Sequence, residues 1–122
     1  MITCEMMGRL CNQMFIAATA HSLAIDNNDE VLFPYAISGI TPTDKETVLH
    51  RNTVFRNLNY AKDLSFAQQV WLEPSDQSYD KIEYKDRTIL RGYFQSEKYF
   101  VHNRQQILDL FRIQEQALNF LN

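Results

Sequence analysis

The residues best suited to chemistry lie between Met6 and Phe15, in the run MMGRLCNQMF. A glycine at Gly8 lets the backbone turn sharply and lets a ligand or another segment come close. Arg9 brings a planar cationic fork matched to phosphate or carboxylate, and Asn12 and Gln13 add neutral donors and acceptors. A helix starting here would contribute unpaired N–H groups that favour an anion. A sugar nucleotide, with its diphosphate, ribose and many hydroxyls, is the kind of ligand such a set recognises. The same residues also suit plain structural work, Gly8 as a turn, Arg9 as a surface charge and Asn12 as a helix cap, and residue type alone does not separate the readings. Spacing does exclude two common sites. GRLCN lacks the glycine pattern of a dinucleotide-binding turn, and no GKS or GKT follows to make a phosphate loop.

A second run, LRGYFQSEKYF, spans Leu90 to Phe100. Tyr93 and Phe94 supply aromatic faces for a sugar or a cover for the core. Gln95, Ser96 and Glu97 either bind hydroxyls or cap a following helix. Glu97 is the most attractive carboxylate for general-base work, which needs an acceptor hydroxyl within hydrogen-bond reach. The catalytic residue itself is not readable. His21 falls within an apolar band, where packing is the plain account. His50 and His102 fit no metal-ligand spacing, so no metal centre is expected. Asp26, Asp29, Glu30 and Asp44 crowd into turns, where solvation explains them.

The elements that must position these residues follow from periodicity. Ile2 to Met7 reads as a strand running into the GRLCNQ turn, and Met14, Ala17, Ala18, His21, Ala24 and Ile25 form a helical band. DNND, Asp26 to Asp29, stops that helix because short polar side chains compete for its last backbone bonds. Val31 to Phe33 then reads as a second parallel strand, which opens a doubly wound α/β domain. Pro34, Gly39 and Pro42 break the next stretch into turns, and TVLHRNTVFRNLNY shows no clean period. Strands are expected at Gln69 to Leu72 and Thr88 to Leu90, with an exposed extended piece at Tyr79 to Tyr84. Gly92 to Gln95 leaves the last strand as a loop. Ser96 then caps a helix carrying Phe100, Asn103, Arg104, Ile107 and Phe111 along one side. Gln114 to Leu121 reads as a short final helix or a fraying end. Both polar runs fall at carboxyl ends of strands, where open α/β sheets place ligands.

Composition bounds the rest. A chain of 122 residues with 45% apolar and 22% charged residues suits one compact domain with a real core. A net charge of −3 gives no general attraction to nucleic acid or anionic lipid, and Arg51, Arg56, Lys62, Lys81 and Lys85 are too dispersed for a nucleic-acid footprint. Cys4 and Cys11 have neither zinc nor redox spacing, which makes a cytoplasmic or other reducing compartment the expectation. No apolar run of about eighteen residues spans a bilayer, and no leader pattern opens the chain.

Taken together, GRLCNQMFIAATAHSLA and LRGYFQSEKYF resemble the N-terminal signatures of the α-1,2-fucosyltransferases, glycosyltransferase family 11. Gly8, Leu10, Asn12, Gln13, Met14 and Phe15 match the family's opening GxLGNQMF pattern. Gly92, Tyr93, Gln95, Ser96, Glu97, Tyr99 and Phe100 match its later GYxQSExYF. The opening is also similar to the GRxGNQ element of protein O-fucosyltransferases, with Arg9 retained. Cys11 departs from the family's glycine, Ile16 and Ala17 replace its Gln-Tyr pair, and its basic HxRRxD motif has no counterpart in the chain. The resemblance implies a Rossmann-like three-layer sandwich with a mostly parallel sheet, like the N-terminal lobe of a GT-B glycosyltransferase. Residues 1–122 would form that single lobe, with the C-terminal donor-binding lobe absent.

The implied reaction is inverting transfer of fucose from GDP-fucose to a sugar hydroxyl without a bound metal, with the isolated chain inactive. Gly8, Arg9, Asn12 and Gln13 would approach the donor or its sugar. Tyr93, Gln95, Ser96 and Glu97 would line the acceptor side or brace the lobe. Implied partners are a sugar nucleotide, a glycan acceptor and a complementary C-terminal lobe or second copy. The alternative is a non-catalytic carbohydrate-binding or protein-interaction domain descended from such an enzyme.

Overall fold

The structure, a computed structural model, describes residues 1–41 and 43–112. Pro42 and the final helix expected over Gln114 to Leu121 lie outside those residues. The chain begins with β1 (Thr3–Cys4), then α1 (Leu10–Asp26), β2 (Phe33–Pro34), α2 (Lys45–Asn52) and β3 (Tyr60–Ala61). It continues with β4 (Gln69–Leu72), β5 (Thr88–Arg91), two 3-10 turns at Glu97–Tyr99 and Val101–Asn103, and α3 (Arg104–Leu110). The α/β class read from the sequence holds.

Every strand pairing among the described residues is parallel. β1 lies in register with β5, Thr3 opposite Ile89 and Cys4 opposite Leu90, and β5 pairs on its other side with β4. β2 pairs with β3, and the bridge between Ile2 and Val31 joins this pair to β1. Hydrogen bonds from Ile2 N to Glu30 O and from Leu32 N to Ile2 O, each 2.9 Å, complete the junction. The resulting order is β3-β2-β1-β5-β4. The chain steps outward from β1 on one side, crosses over, and returns inward to β5. Its direction of winding therefore reverses between β1 and β5, the place where a parallel sheet opens a crevice at its carboxyl edge.

α1 is held at the centre. Ala17, Ala18, Thr19 and Ala20 are consecutive and each at most 2% exposed. Successive helical residues point about 100° apart, so four in a row cover every side of the helix. Small side chains there let neighbouring elements approach the backbone closely. Ile16, Ala17, Ala20 and Ala24 join Ile2, Cys4, Met6, Val31, Phe33 and Leu90 in the core. Full burial of a residue such as Ile2, Phe33 or Leu90 contributes about 1.5–3 kcal/mol. Among the described residues β4 is bonded on one edge only, and its Val70 and Leu72 are 50% and 67% exposed.

Several expectations need correction. The helix starts at Leu10, so Asn12 and Gln13 belong to its first turn and the sharp turn is confined to Gly8 and Arg9. α2 and β3 lie in the stretch that shows no clean period. Asp44 caps α2, its carboxylate accepting from Thr47 N at 3.1 Å and Thr47 Oγ1 at 3.2 Å. Within the stretch expected to be exposed at Tyr79 to Tyr84, Ile82 is buried and Tyr99 Oη accepts the Asp80 N–H at 3.2 Å, which ties the segment down as a strap. The helix after Ser96 is interrupted at Phe100, whose backbone is extended in φ at −142° and whose ring packs 5.9 Å from that of Phe15. Asn28, at φ 50°, ends α1 within DNND as expected.

Two predictions test this packing. His21 is half-buried on α1, and desolvation holds its imidazole below the ordinary 6.5. The unfolded chain then binds more protons than the folded one between the two pKa values, so stability is lost as pH falls below 6.5. Denaturant midpoints measured from pH 7.5 to pH 5.5 should drop more steeply for the wild type than for His21→Gln, with pH values taken to bracket the ordinary histidine range of about 6.5. Burial also pushes the Cys4 thiol up, whereas Cys11 is exposed. A thiol reagent should label Cys11 in the folded protein and reach Cys4 only on unfolding; equal labelling of both would contradict the burial of β1.

Candidate functional site

The turns that leave the carboxyl ends of β1 and β5 are each built on one glycine. Gly8 adopts φ 77°, a conformation that side chains disfavour, and a Cβ there would stand 2.6 Å from Asn12 Nδ2 and 2.9 Å from Asn12 Cβ. The missing side chain is what allows Asn12 to fold back over the turn. Gln13 is buried and its Nε2 donates to Gly8 O at 2.8 Å, so its amide braces the turn from beneath. Arg9 occupies the N-cap position of α1, exposed, with no side-chain cap bond. No acidic residue stands in the first turn of α1. The helix therefore leaves its N-terminal N–H groups without an acidic partner and carries the exposed Arg9 side chain at the same end, an arrangement suited to an anionic group.

On the β5 side, Gly92 has φ 154°, and a Cβ there would stand 2.4 Å from Glu73 Cβ. Glu73 follows β4 and is 7% exposed. Its two carboxylate oxygens accept the N–H groups of Tyr93 and Phe94, each at 3.0 Å. Its own N–H bonds Arg91 O at 2.9 Å. This grip holds Phe94 at φ 50°, a costly conformation for a bulky residue. Phe94 is fully buried, stacked 5.9 Å from Trp71 and set edge-on to Tyr99 at 5.3 Å. Sequence reasoning missed Glu73. The signal was slight: a single acidic residue before Pro74, directly after an apolar strand.

The two sides meet. Gln95 Nε2 donates to Asn12 Oδ1 at 2.5 Å, which joins the two motifs across the crevice. Nearby, Arg91 Nε donates to Glu5 Oε2 at 2.7 Å, an exposed pair that adds at most about 1 kcal/mol. The other expected residues divide. Ser96 caps the first 3-10 turn by accepting from Lys98 N at 3.3 Å, its capping role. Tyr93 is half-buried and is tied through its backbone to Glu73. Glu97 is exposed and lines a hollow with Phe100, Val101 and Arg104. Cys11 lies in the regular first turn of α1 and is not among the residues at positive φ, so its substitution for glycine carries no backbone strain.

A second polar cluster lies at the other end of α1. His102 Nε2 contacts Asp26 Oδ2 at 2.7 Å and Ser22 Oγ at 3.5 Å, and Asn103 Nδ2 donates to Asp26 Oδ1 at 2.9 Å and Ser22 Oγ at 2.8 Å. The residue types suggest a hydrolytic triad, but the geometry rejects it. One ring nitrogen faces both the serine and the carboxylate, and Ser22 is fully buried. No protein-family model, no curated protein and no solved structure matches the chain. The family resemblance therefore rests on the two motifs. Among the described residues no helix is long and apolar enough to cross a membrane.

The grip of Glu73 generates a prediction. Glu73→Ala leaves two backbone N–H groups without their acceptor and should cost about 2–4 kcal/mol, while Glu73→Gln keeps one acceptor and should cost about half as much. Hydrogen exchange should show the Tyr93 and Phe94 amides losing protection in Glu73→Ala. Unchanged protection would mean that the loop is held by its aromatic packing alone.

Proposed function

We propose that this chain is the N-terminal, Rossmann-like lobe of an inverting fucosyltransferase-type glycosyltransferase and that the β1/β5 crevice meets GDP-fucose. The observation that carries this reading is the Asn12–Gln95 contact. It joins the two motifs that resemble the α-1,2-fucosyltransferases, and it lies at the winding reversal beside the open N-terminus of α1. Arg9 and the first-turn N–H groups of α1 suit the donor diphosphate or the charge that develops on it. Asn12 and Gln95 suit sugar hydroxyls, and Gly8 and Gln13 shape the turn that presents them. Tyr93 and Ser96 support the same rim.

In the reaction, an acceptor hydroxyl attacks the anomeric carbon, the bond from that carbon to the diphosphate oxygen breaks, and configuration inverts. Positive groups facing the departing diphosphate lower the barrier. The family's second lobe supplies most of that charge through its HxRRxD motif, so the reading assigns turnover to a two-lobed assembly and only part of donor recognition to residues 1–122. The reading names no catalytic base; Glu97 lines a hollow with Phe100, Val101 and Arg104. A second reading, a non-catalytic interaction domain, is favoured by an apolar groove of about 310 Å³ lined by Met14, Phe15, Ala18, Phe100, Ile107 and Phe111.

Calorimetric titration with GDP-fucose, with GDP as the comparison, separates the readings. Saturable binding should weaken roughly tenfold or more, about 1.4 kcal/mol, in Arg9→Ala and in Asn12→Ala. A folded protein that binds neither nucleotide would remove the donor assignment and leave the interaction reading.

A further inference from the structure

A separate cleft in the described structure lies away from Asn12. It has a volume of about 550 Å³ and lies between the C-terminal half of α1, the strap over Tyr79 to Tyr84, and the turns at Lys98 to His102. Asn12 and Asp26 are fourteen residues apart on one helix, which at 1.5 Å per residue separates the two places by about 21 Å. We propose that this cleft is a binding site for a neutral saccharide of one or two rings.

Its walls are fixed by the fold. Ile82 is buried in the core, Tyr99 Oη accepts the Asp80 N–H, and Tyr84 Oη donates to Asp29, which ties the strap at three points. On the opposite wall, Asn103 and His102 both hold the Asp26 carboxylate. A cleft held open in this way loses little entropy when it is occupied. Its volume lies within the range of about 300–1,000 Å³ typical of small-molecule sites.

The lining selects the ligand class. Lys81 and Lys98 line the cleft together with Asp26 and Glu83, with the Lys98 ammonium 5.8 Å from the Tyr79 ring centroid; two cations balance two anions, so the cleft carries no excess of one sign with which to hold an ion. The C-terminal end of α1, with its negative partial charge, further disfavours an anion. Tyr79 and Tyr84 supply aromatic rings, and Tyr79 packs against Tyr99 with ring centroids 4.8 Å apart. Such rings cover the C–H face of a pyranose, while carboxylate, amide and ammonium groups exchange hydrogen bonds with its hydroxyls. Thr19, in the cleft wall, buries a hydroxyl with no hydrogen-bond partner, a polar atom the chain itself leaves unsatisfied. A ligand that is apolar on its faces and rich in hydroxyls around its edge matches this set. The inference does not depend on donor binding at Arg9 and Asn12, and either can fail alone.

The test is an amide-resolved NMR titration of the full chain with lactose, maltose, cellobiose and N-acetyllactosamine, and separately with sodium phosphate. At least one disaccharide should shift the amides around Leu23 to Asn27, Tyr79 to Tyr84 and Lys98 to His102 while leaving Gly8 to Gln13 in place. Tyr79→Ala should weaken that binding roughly tenfold, about 1.4 kcal/mol. Glu83→Gln, an exposed and near-isosteric change, should weaken it several-fold with the rest of the spectrum unchanged, so the result stands even if Tyr79→Ala perturbs the strap. Absence of shifts at the cleft with all the sugars overturns the proposal, as does a response to phosphate alone, or wild-type affinity in both variants.

Discussion

The constraint on which the rest of the structure depends is the burial of α1 on every side at its midpoint. Four consecutive residues, Ala17 to Ala20, have no face turned to solvent, so the helix cannot rotate or slide without driving side chains into its neighbours. A helix pinned at its middle has both ends fixed in direction. Its N-terminus is aimed into the reversal between β1 and β5, and its C-terminus carries Asp26 to the wall of the large cleft. Alanine and threonine suit the position because larger residues would hold the surrounding elements apart.

Magnitudes decide what shapes the crevice. The Arg91–Glu5 pair is short but half-exposed, and solvent screens it to a small net effect. The Glu73 carboxylate is buried and accepts two adjacent backbone N–H groups, each a charge-assisted bond worth more than a neutral one. Glu73, together with the burial of Phe94, therefore offsets the unfavourable backbone at φ 50° and sets where Gln95 stands. The residue that reaches across to Asn12 is positioned by a side chain from the segment that follows β4.

Much of this architecture was legible in the sequence, for identifiable reasons. β4 and β5 stand out because apolar residues are bounded by turn formers, and the end of α1 is marked by DNND. The pairing of the two polar runs on one edge followed from their places after strands. Less visible were α2, whose signal is a lone Asp44 cap ahead of a largely exposed helix, and β3, which is two residues long. The site was half legible. Asn12 and Gln95 were found by type, but the buried, turn-bracing role of Gln13 needed the register of α1, and Glu73 needed the adjacency of β4 and β5. The cleft at Asp26 escaped altogether, because its residues come from three segments with no shared spacing.

The strand order also bears on how the chain is made. β1 lies in the middle of the sheet, yet Thr3 and Cys4 find their partners at Ile89 and Leu90. During synthesis β1 acquires β2 soon after it emerges, while its other edge stays unpaired until Ile89 and Leu90 have also been made. A pairing between positions so far apart also carries a high loop-closure cost before any contact rewards it. The newborn protein therefore passes through a stage in which a central, apolar strand is open along one side, a stage that invites chaperone capture or pairing with a neighbouring nascent chain.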